Sequence, residues 1–122
     1  MAELEIWINP ACSKCRSATT ELDAAGIAYT VRRYLDVPPT AAEMDEVLRR
    51  MGLAPWDIAR PAETRAAGIT LAKEPAQRDA WIAAMVADPR TIQRPIITAT
   101  DGTTVVARDA ATLTDIVERE RG

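Results

Sequence analysis

Histidine is absent from this chain of 122 residues. No Ser-His-Asp or Cys-His device can therefore be assembled within one chain, and no imidazole is available as a metal ligand. Cysteine is nearly absent: Cys12 and Cys15 are the only two. A tetrahedral zinc site would need ligands from a second chain or from carboxylates, so no metal is expected. The five glycines, Gly26, Gly52, Gly68, Gly102 and Gly122, stand too far apart for a phosphate-cradling loop or a dinucleotide fingerprint, which sets nucleotide cofactors aside. Dense basic runs are lacking in a chain of net charge −3, so direct nucleic-acid binding, which depends on neutralising phosphates, is not expected. No apolar stretch is long enough to span a bilayer. The start Met1-Ala2-Glu3-Leu4-Glu5 is acidic where an export signal is basic, and the expectation is a cytoplasmic protein with no membrane partner.

What is present reads as one α/β domain covering residues 1–122. At 48% hydrophobic and 27% charged residues, the chain has the balance of a globular domain. Leu4-Glu5-Ile6-Trp7-Ile8 predicts a first strand ended by the turn Asn9-Pro10. Cys15, Ala18, Thr19, Leu22 and Ala25 fall on one stripe of a helix from Lys14 to Ala25, with Gly26 as its stop. Ile27 to Leu35 predicts a second strand, parallel to the first because a helix intervenes. Thr40-Ala41-Ala42-Glu43 has the capping-box pattern ahead of Met44, Val47, Leu48 and Met51, a helix ending at Gly52. Pro55 to Arg60 and Ala62 to Ala67 carry weaker helical signals, and Pro75 opens a predicted helix that pairs Trp81 with Met85 and Ile82 with Val86 before Asp88-Pro89. Residues 40–89 thus form a helical block. Asp101-Gly102 between Pro95–Thr98 and Thr103–Val106 predicts a hairpin, and Asp109 caps a last helix carrying Leu113, Ile116 and Val117.

The two cysteines stand where the first strand hands over to the first helix. There a sulfur faces unpaired backbone N–H groups and the positive end of the helix dipole, with Lys14 and Arg16 adding positive charge. Such a setting lowers a cysteine pKa and raises its nucleophilic fraction. Cys15, one turn on, lies on the apolar stripe and reads equally as a packed small hydrophobe or as a resolving thiol. A phosphatase-type loop is excluded by spacing, since Ala18 stands where that loop would place its arginine. Pro95 precedes a strand, where a cis bond and a plain loop proline are equally compatible with the spacing. Arg60, Arg94 and Arg108 lie at element ends, and nothing in their spacing shows that they converge.

Asn9-Pro10-Ala11-Cys12-Ser13-Lys14-Cys15-Arg16 resembles the first motif of the ArsC-type, thioredoxin-fold arsenate reductase family, which includes Spx-like regulators. The resemblance continues in order through Tyr34-Leu35-Asp36-Val37-Pro38-Pro39, Met51-Gly52, the Arg60 region, Arg94-Pro95-Ile96 and Asp101-Gly102 to Arg108. It implies a thioredoxin-like fold, βαβ then ββα, with a helical insertion between the halves. It also implies that Cys12 attacks arsenate, that Arg60, Arg94 and Arg108 bind the oxyanion, and that Pro95 is a cis-proline, with Asn9, Ser13 and Arg16 in support. Two departures stand out. Ile8 replaces a histidine found in some members, and Cys15 is a second thiol that many reductases lack, permitting an intramolecular Cys12–Cys15 disulfide.

The resemblance implies reduction of arsenate, or a similar oxyanion, to arsenite by a monomer that binds no cofactor of its own. Electrons would come from an external thiol, glutathione or mycothiol, through a glutaredoxin, mycoredoxin or thioredoxin. Two further readings remain open: a general thiol–disulfide oxidoreductase, and a Spx-like redox-sensing regulator that binds RNA polymerase.

Overall fold

The computed structural model describes residues 3–122. Its elements are the strands β1 (Leu4–Ile8), β2 (Tyr29–Arg33), β3 (Ile96–Thr98) and β4 (Thr104–Val106), and the helices α1 (Ser13–Ala24), α2 (Ala41–Met51), α3 (Pro61–Ala66), α4 (Arg78–Ala87) and α5 (Ala110–Arg121). The described residues divide into two compact units, one formed by residues 3–34 with 94–122 and the other by residues 35–93. The first is a mixed α/β unit and the second a helical insertion, the architecture expected of a thioredoxin-like fold.

The sheet of the first unit has the order β2-β1-β3-β4. β1 pairs parallel with β2, from Leu4 opposite Tyr29 to Ile8 opposite Arg33, and antiparallel with β3, which in turn pairs antiparallel with β4. Alternation along β1 sends Leu4 and Ile6 to one face and Trp7 to the other. The first face joins Ala18 and Leu22 of α1, Ile97 of β3, and Leu113 and Ile116 of α5 in one buried cluster. Each such buried Leu or Ile contributes about 1.5–3 kcal/mol. On the opposite face the Arg32 guanidinium stacks over the Trp7 ring at 5.6 Å.

β2 is shorter than the predicted Ile27–Leu35. It is an edge strand, and the ladder extends only as far as the five residues of β1 offer partners. Ile27 instead sends its N–H back to the Leu22 carbonyl at 3.0 Å, closing the end of α1. The hairpin also differs in detail from a two-residue Asp-Gly turn. Gly102 N–H donates to the Ala99 carbonyl at 2.9 Å and Ala99 N–H to the Thr103 carbonyl at 2.7 Å, so Thr100, Asp101 and Gly102 make a three-residue loop. Its last residue needs positive φ, and Gly102 supplies φ 92°.

Within the helical unit, α2 buries Met44, Val47 and Leu48, and α4 buries Trp81, Ile82 and Met85. The two helices pack on each other, and Arg78 of α4 is ion-paired with Asp45 of α2. Pro75 opens a 3-10 turn, Pro75–Gln77, and the α-helix itself begins at Arg78. A short bridge pairs Ala59 with Ile92, flanked by Arg60 N–H to the Thr91 carbonyl at 2.7 Å and Gln93 N–H to the Ile58 carbonyl at 2.9 Å. Among the described residues no helix is long and apolar enough to cross a membrane.

Candidate active site

The segment between β1 and α1 is a tight turn. Cys12 N–H donates to the Asn9 carbonyl at 2.9 Å, and the Asn9 side chain accepts from Ala11 N–H at 3.0 Å. Asparagine followed by proline favours this geometry, because the amide closes the turn and the proline ring presets its φ. The turn delivers Cys12 to the N-cap of α1, with φ −87° and ψ 125°. No side chain caps this helix, so its first N–H groups are free to serve the sulfur.

That placement sets the chemistry of the thiol. Burial works against ionisation of Cys12, but the Cys15 backbone N–H, the Arg94 guanidinium, the Cys15 thiol and the Lys14 backbone N–H outweigh it, and the pKa is lowered to about 7. Burial pushes Cys15 the other way, up to about 11, with the Asn9 N–H opposing and the Cys12 charge adding to the rise. Asn9 N–H donates to Cys15 Sγ at 3.4 Å. Both cysteines are free thiols. Near neutrality Cys12 is therefore the more readily ionised of the two, while Cys15 stays a protonated thiol.

Arg94 enters from the start of the second half of the same unit. Burial works against its charge, and the Cys12 sulfur more than offsets this, so the guanidinium stays firmly protonated. Its Nε is buried and, among the described residues, has no hydrogen-bond acceptor. The Arg94–Pro95 peptide bond is cis, and the Pro95 carbonyl accepts from Ala107 N–H at 2.9 Å. Arg108, the next residue along, is exposed and donates through Nη1 to the Arg94 carbonyl at 3.1 Å. The mixed unit thus brings Cys12, Cys15, Arg94, Pro95 and Arg108 into one connected set.

The remaining candidates divide. Ser13 is the first residue of α1 and is exposed; Arg16 is exposed and reaches the Pro10 carbonyl through Nη1 at 3.4 Å. Arg60 belongs to the helical unit, at the N-cap of α3. There its Nη1 pairs with Glu63 Oε2 at 3.0 Å and reaches the Arg90 carbonyl at 3.4 Å. Sequence reasoning passed over Glu63, although its i,i+3 spacing from Arg60 was a legible signal. It also passed over the main-chain N–H of Asn9 as a partner of Cys15, for which the sequence holds no signal. Among the described residues no cluster of three or more potential metal ligands occurs.

A mixed sheet followed by a cysteine at the head of its first helix, with a cis-proline entering β3, defines the thioredoxin-like class. More narrowly, the chain belongs to the ArsC family, which matches residues 7–116. It is 34% identical over 109 residues to a Neisseria meningitidis arsenate reductase, covering 88% of this chain and 92% of that one. It is 52% identical over 119 residues to a Streptomyces viridochromogenes protein described only as lying in the glnII region, covering 95% of this chain and 100% of that one. A solved Yersinia pestis structure superposes with TM-score 0.82 at 28% identity, covering 93% of this chain and 100% of that one.

Proposed function

We propose that this chain reduces arsenate to arsenite, with Cys12 as nucleophile, Arg94 and Arg108 binding the oxyanion, and an external thiol as the source of electrons. The carrying observation is the junction of two features: a Cys12 pKa lowered to about 7 and, on the same arginine that lowers it, a buried Nε–H without an acceptor. A buried donor with no partner is rare and calls for one, and a guanidinium suits an oxyanion by its forked geometry. The relatedness to an arsenate reductase at 34% identity supports the same substrate.

The Cys12 thiolate attacks arsenic, an As–O bond breaks, and the departing oxygen leaves as water after taking up protons. A second thiolate then attacks Cys12 Sγ. The S–As bond breaks with its electron pair left on arsenic, which passes from As(V) to As(III), and the two thiols become one disulfide. Cys15 is the candidate second thiol: once Cys12 is bonded to arsenic its charge is gone, which removes one of the causes that raise Cys15. The disulfide is returned to thiols by glutathione or mycothiol with a glutaredoxin, mycoredoxin or thioredoxin. Asn9, Ser13, Arg16 and Pro95 support the loop. The working unit in this reading is a cytoplasmic monomer, one ArsC-type domain with the helical segment as its insertion.

The test is arsenite production by the reduced protein with each donor system in parallel. Cys12-dependent arsenite supports the reading, and arsenite formed equally well by Cys12→Ser overturns it. A second reading, general thiol–disulfide exchange, is favoured by the split Cys12–Cys15 pair. Reduction of model disulfides with no arsenite from any donor would select it, and redox-dependent capture of RNA polymerase would select the Spx-like alternative.

A further inference from the structure

The helical unit holds a recess of about 330 Å³, at the small end of the range for ligand sites. Its lining comes entirely from residues 56–81 of that unit. Spacings of three and four place Pro61, Thr64 and Arg65 of α3 on one stripe, and all three line the recess together with Ile69, Leu71 and Lys73 of the segment after α3. Hydrogen bonds hold that segment in place: Ile69 N–H donates to the Thr64 carbonyl at 3.2 Å, and the Trp81 indole N–H donates to the Ala72 carbonyl at 2.9 Å. The Trp81 ring meets Trp56 edge to face, with centroids 6.1 Å apart, and both indoles belong to the lining.

Two polar features of this lining are unanswered. Thr64 is only 9% exposed, and its Oγ1 is buried without a hydrogen-bond partner among the described residues, although a helical threonine can bond back to the carbonyl four residues earlier. Arg65 and Lys73 are exposed cations, and no carboxylate lines the recess with them. The neighbouring acids are placed otherwise. Glu63 pairs with Arg60, Asp57 accepts from Ala54 N–H at 2.9 Å, and Glu74, next to Lys73 in sequence, is not part of the lining. The recess is thus aromatic and apolar in its body, with two cations and one buried hydroxyl as its polar groups.

We propose that this recess binds a small aromatic carboxylate. The ring packs against Trp56, Trp81, Ile69 and Leu71, where ring-on-ring contact adds to the gain from burial. The carboxylate sits at Arg65 and Lys73 and accepts from the Thr64 hydroxyl, which gives all three polar groups a partner in one step. A neutral aromatic would leave both cations unanswered, and an aliphatic acid would leave the indoles without a ring. The site shares no residue with the one around Cys12 and goes beyond the oxyanion reading.

Phenylacetate is the probe. Titrated into the nitrogen-15-labelled full chain, it should saturably shift the indole N–H signals of Trp56 and Trp81 and the amides of Thr64 and Arg65. The indole signal of Trp7, which is not part of the lining, should stay in place. For so small a ligand, saturation is expected at roughly millimolar concentration. Phenylacetamide, which lacks the charge, and hexanoate, which lacks the ring, should each bind at least about fivefold more weakly. The double substitution Arg65→Gln with Lys73→Gln, at two exposed positions, should weaken phenylacetate by a similar factor and leave phenylacetamide unchanged. Thr64→Val should weaken phenylacetate at least about twofold with no loss of stability to urea, because the hydroxyl it removes has no partner in the chain. No saturable shift up to about 20 mM, or binding indifferent to the loss of the ligand's charge, overturns the proposal. Hexanoate bound as tightly as phenylacetate overturns the aromatic class, and phenylacetate bound unchanged by the double variant overturns the placement of its carboxylate.

Discussion

Helices α1 and α2 are of similar length but are built on opposite electrostatic plans. α2 opens with a complete capping box between Thr40 and Glu43, carries Arg49 and Arg50 in its last turn, and closes on Gly52 at φ 67°. Its charges complement the helix dipole at both ends, and each such arrangement is worth about 0.3–1 kcal/mol. α1 has no side-chain cap and no acidic residue in its first turn, and no basic residue in its last. Lys14 and Arg16 stand instead at the end where cations are unfavourable, and Glu21 and Asp23 stand toward the other. The contrast shows where stability has been surrendered: α1 leaves its N–H groups and its positive field to a sulfur, whereas α2 spends the same groups on itself.

The contrast can be broken most severely at Cys12. Cys12→Ser should abolish arsenite production, a loss of at least about a thousandfold in kcat, because an alcohol there is not ionised near neutrality. The same substitution supplies an ordinary N-cap, worth about 1 kcal/mol, so chemical denaturation at pH 5 to 6 should show the variant equal to or more stable than the parent. The sign reverses with pH. The folded Cys12 pKa, about 7, lies below its unfolded value, so the thiolate stabilises the parent above the unfolded pKa, and that contribution is lost as pH falls through about 7.

Arg94→Ala comes next in size. It removes one of the groups that favour the thiolate, so the Cys12 pKa should rise and iodoacetamide alkylation at pH 7 should slow by roughly three- to tenfold. The KM for arsenate should rise with it. In the unaltered protein, alkylation of Cys12 should increase with pH and reach half its plateau near pH 7, while Cys15, pushed up to about 11, stays unlabelled below pH 9. Peptide mapping of the labelled sites separates the two.

The smallest effect sharpens the comparison from the other helix. Thr40→Ala removes the capping bond in which the Glu43 N–H donates to the threonine hydroxyl at 3.1 Å, and should lower stability by about 1 kcal/mol. The pH dependence of Cys12 alkylation should not move. A shifted alkylation curve would mean that the two helices are not independent in this respect.

Much of the fold was legible because its signals are local. The Asn9-Pro10 turn, the Thr40–Glu43 box, the Gly26 and Gly52 stops and the Asp109 cap each act over a few residues, and each stands where the sequence placed it. The errors lie where a partner decides: β2 was drawn too long because its length is set by β1, and the hairpin loop has three residues because it is Ala99 that pairs with Thr103. The site was legible in part. Cys12 was recognisable from its position at a helix start, and Arg94 and Arg108 only through family resemblance, since nothing in their spacing ties either to a cysteine.

The sequence by itself determined the order of elements, the position of Cys12 at the head of α1 and the absence of any histidine beside it, because periodicity, capping and turn chemistry are properties of neighbouring residues. Tertiary structure decided that Arg94 reaches Cys12, that Arg108 fastens to the Arg94 carbonyl, and that two thiols three residues apart are driven to opposite ends of the cysteine range. These outcomes depend on burial and on charges brought together from distant parts of the chain or fixed by a particular side-chain geometry, and no local pattern encodes either.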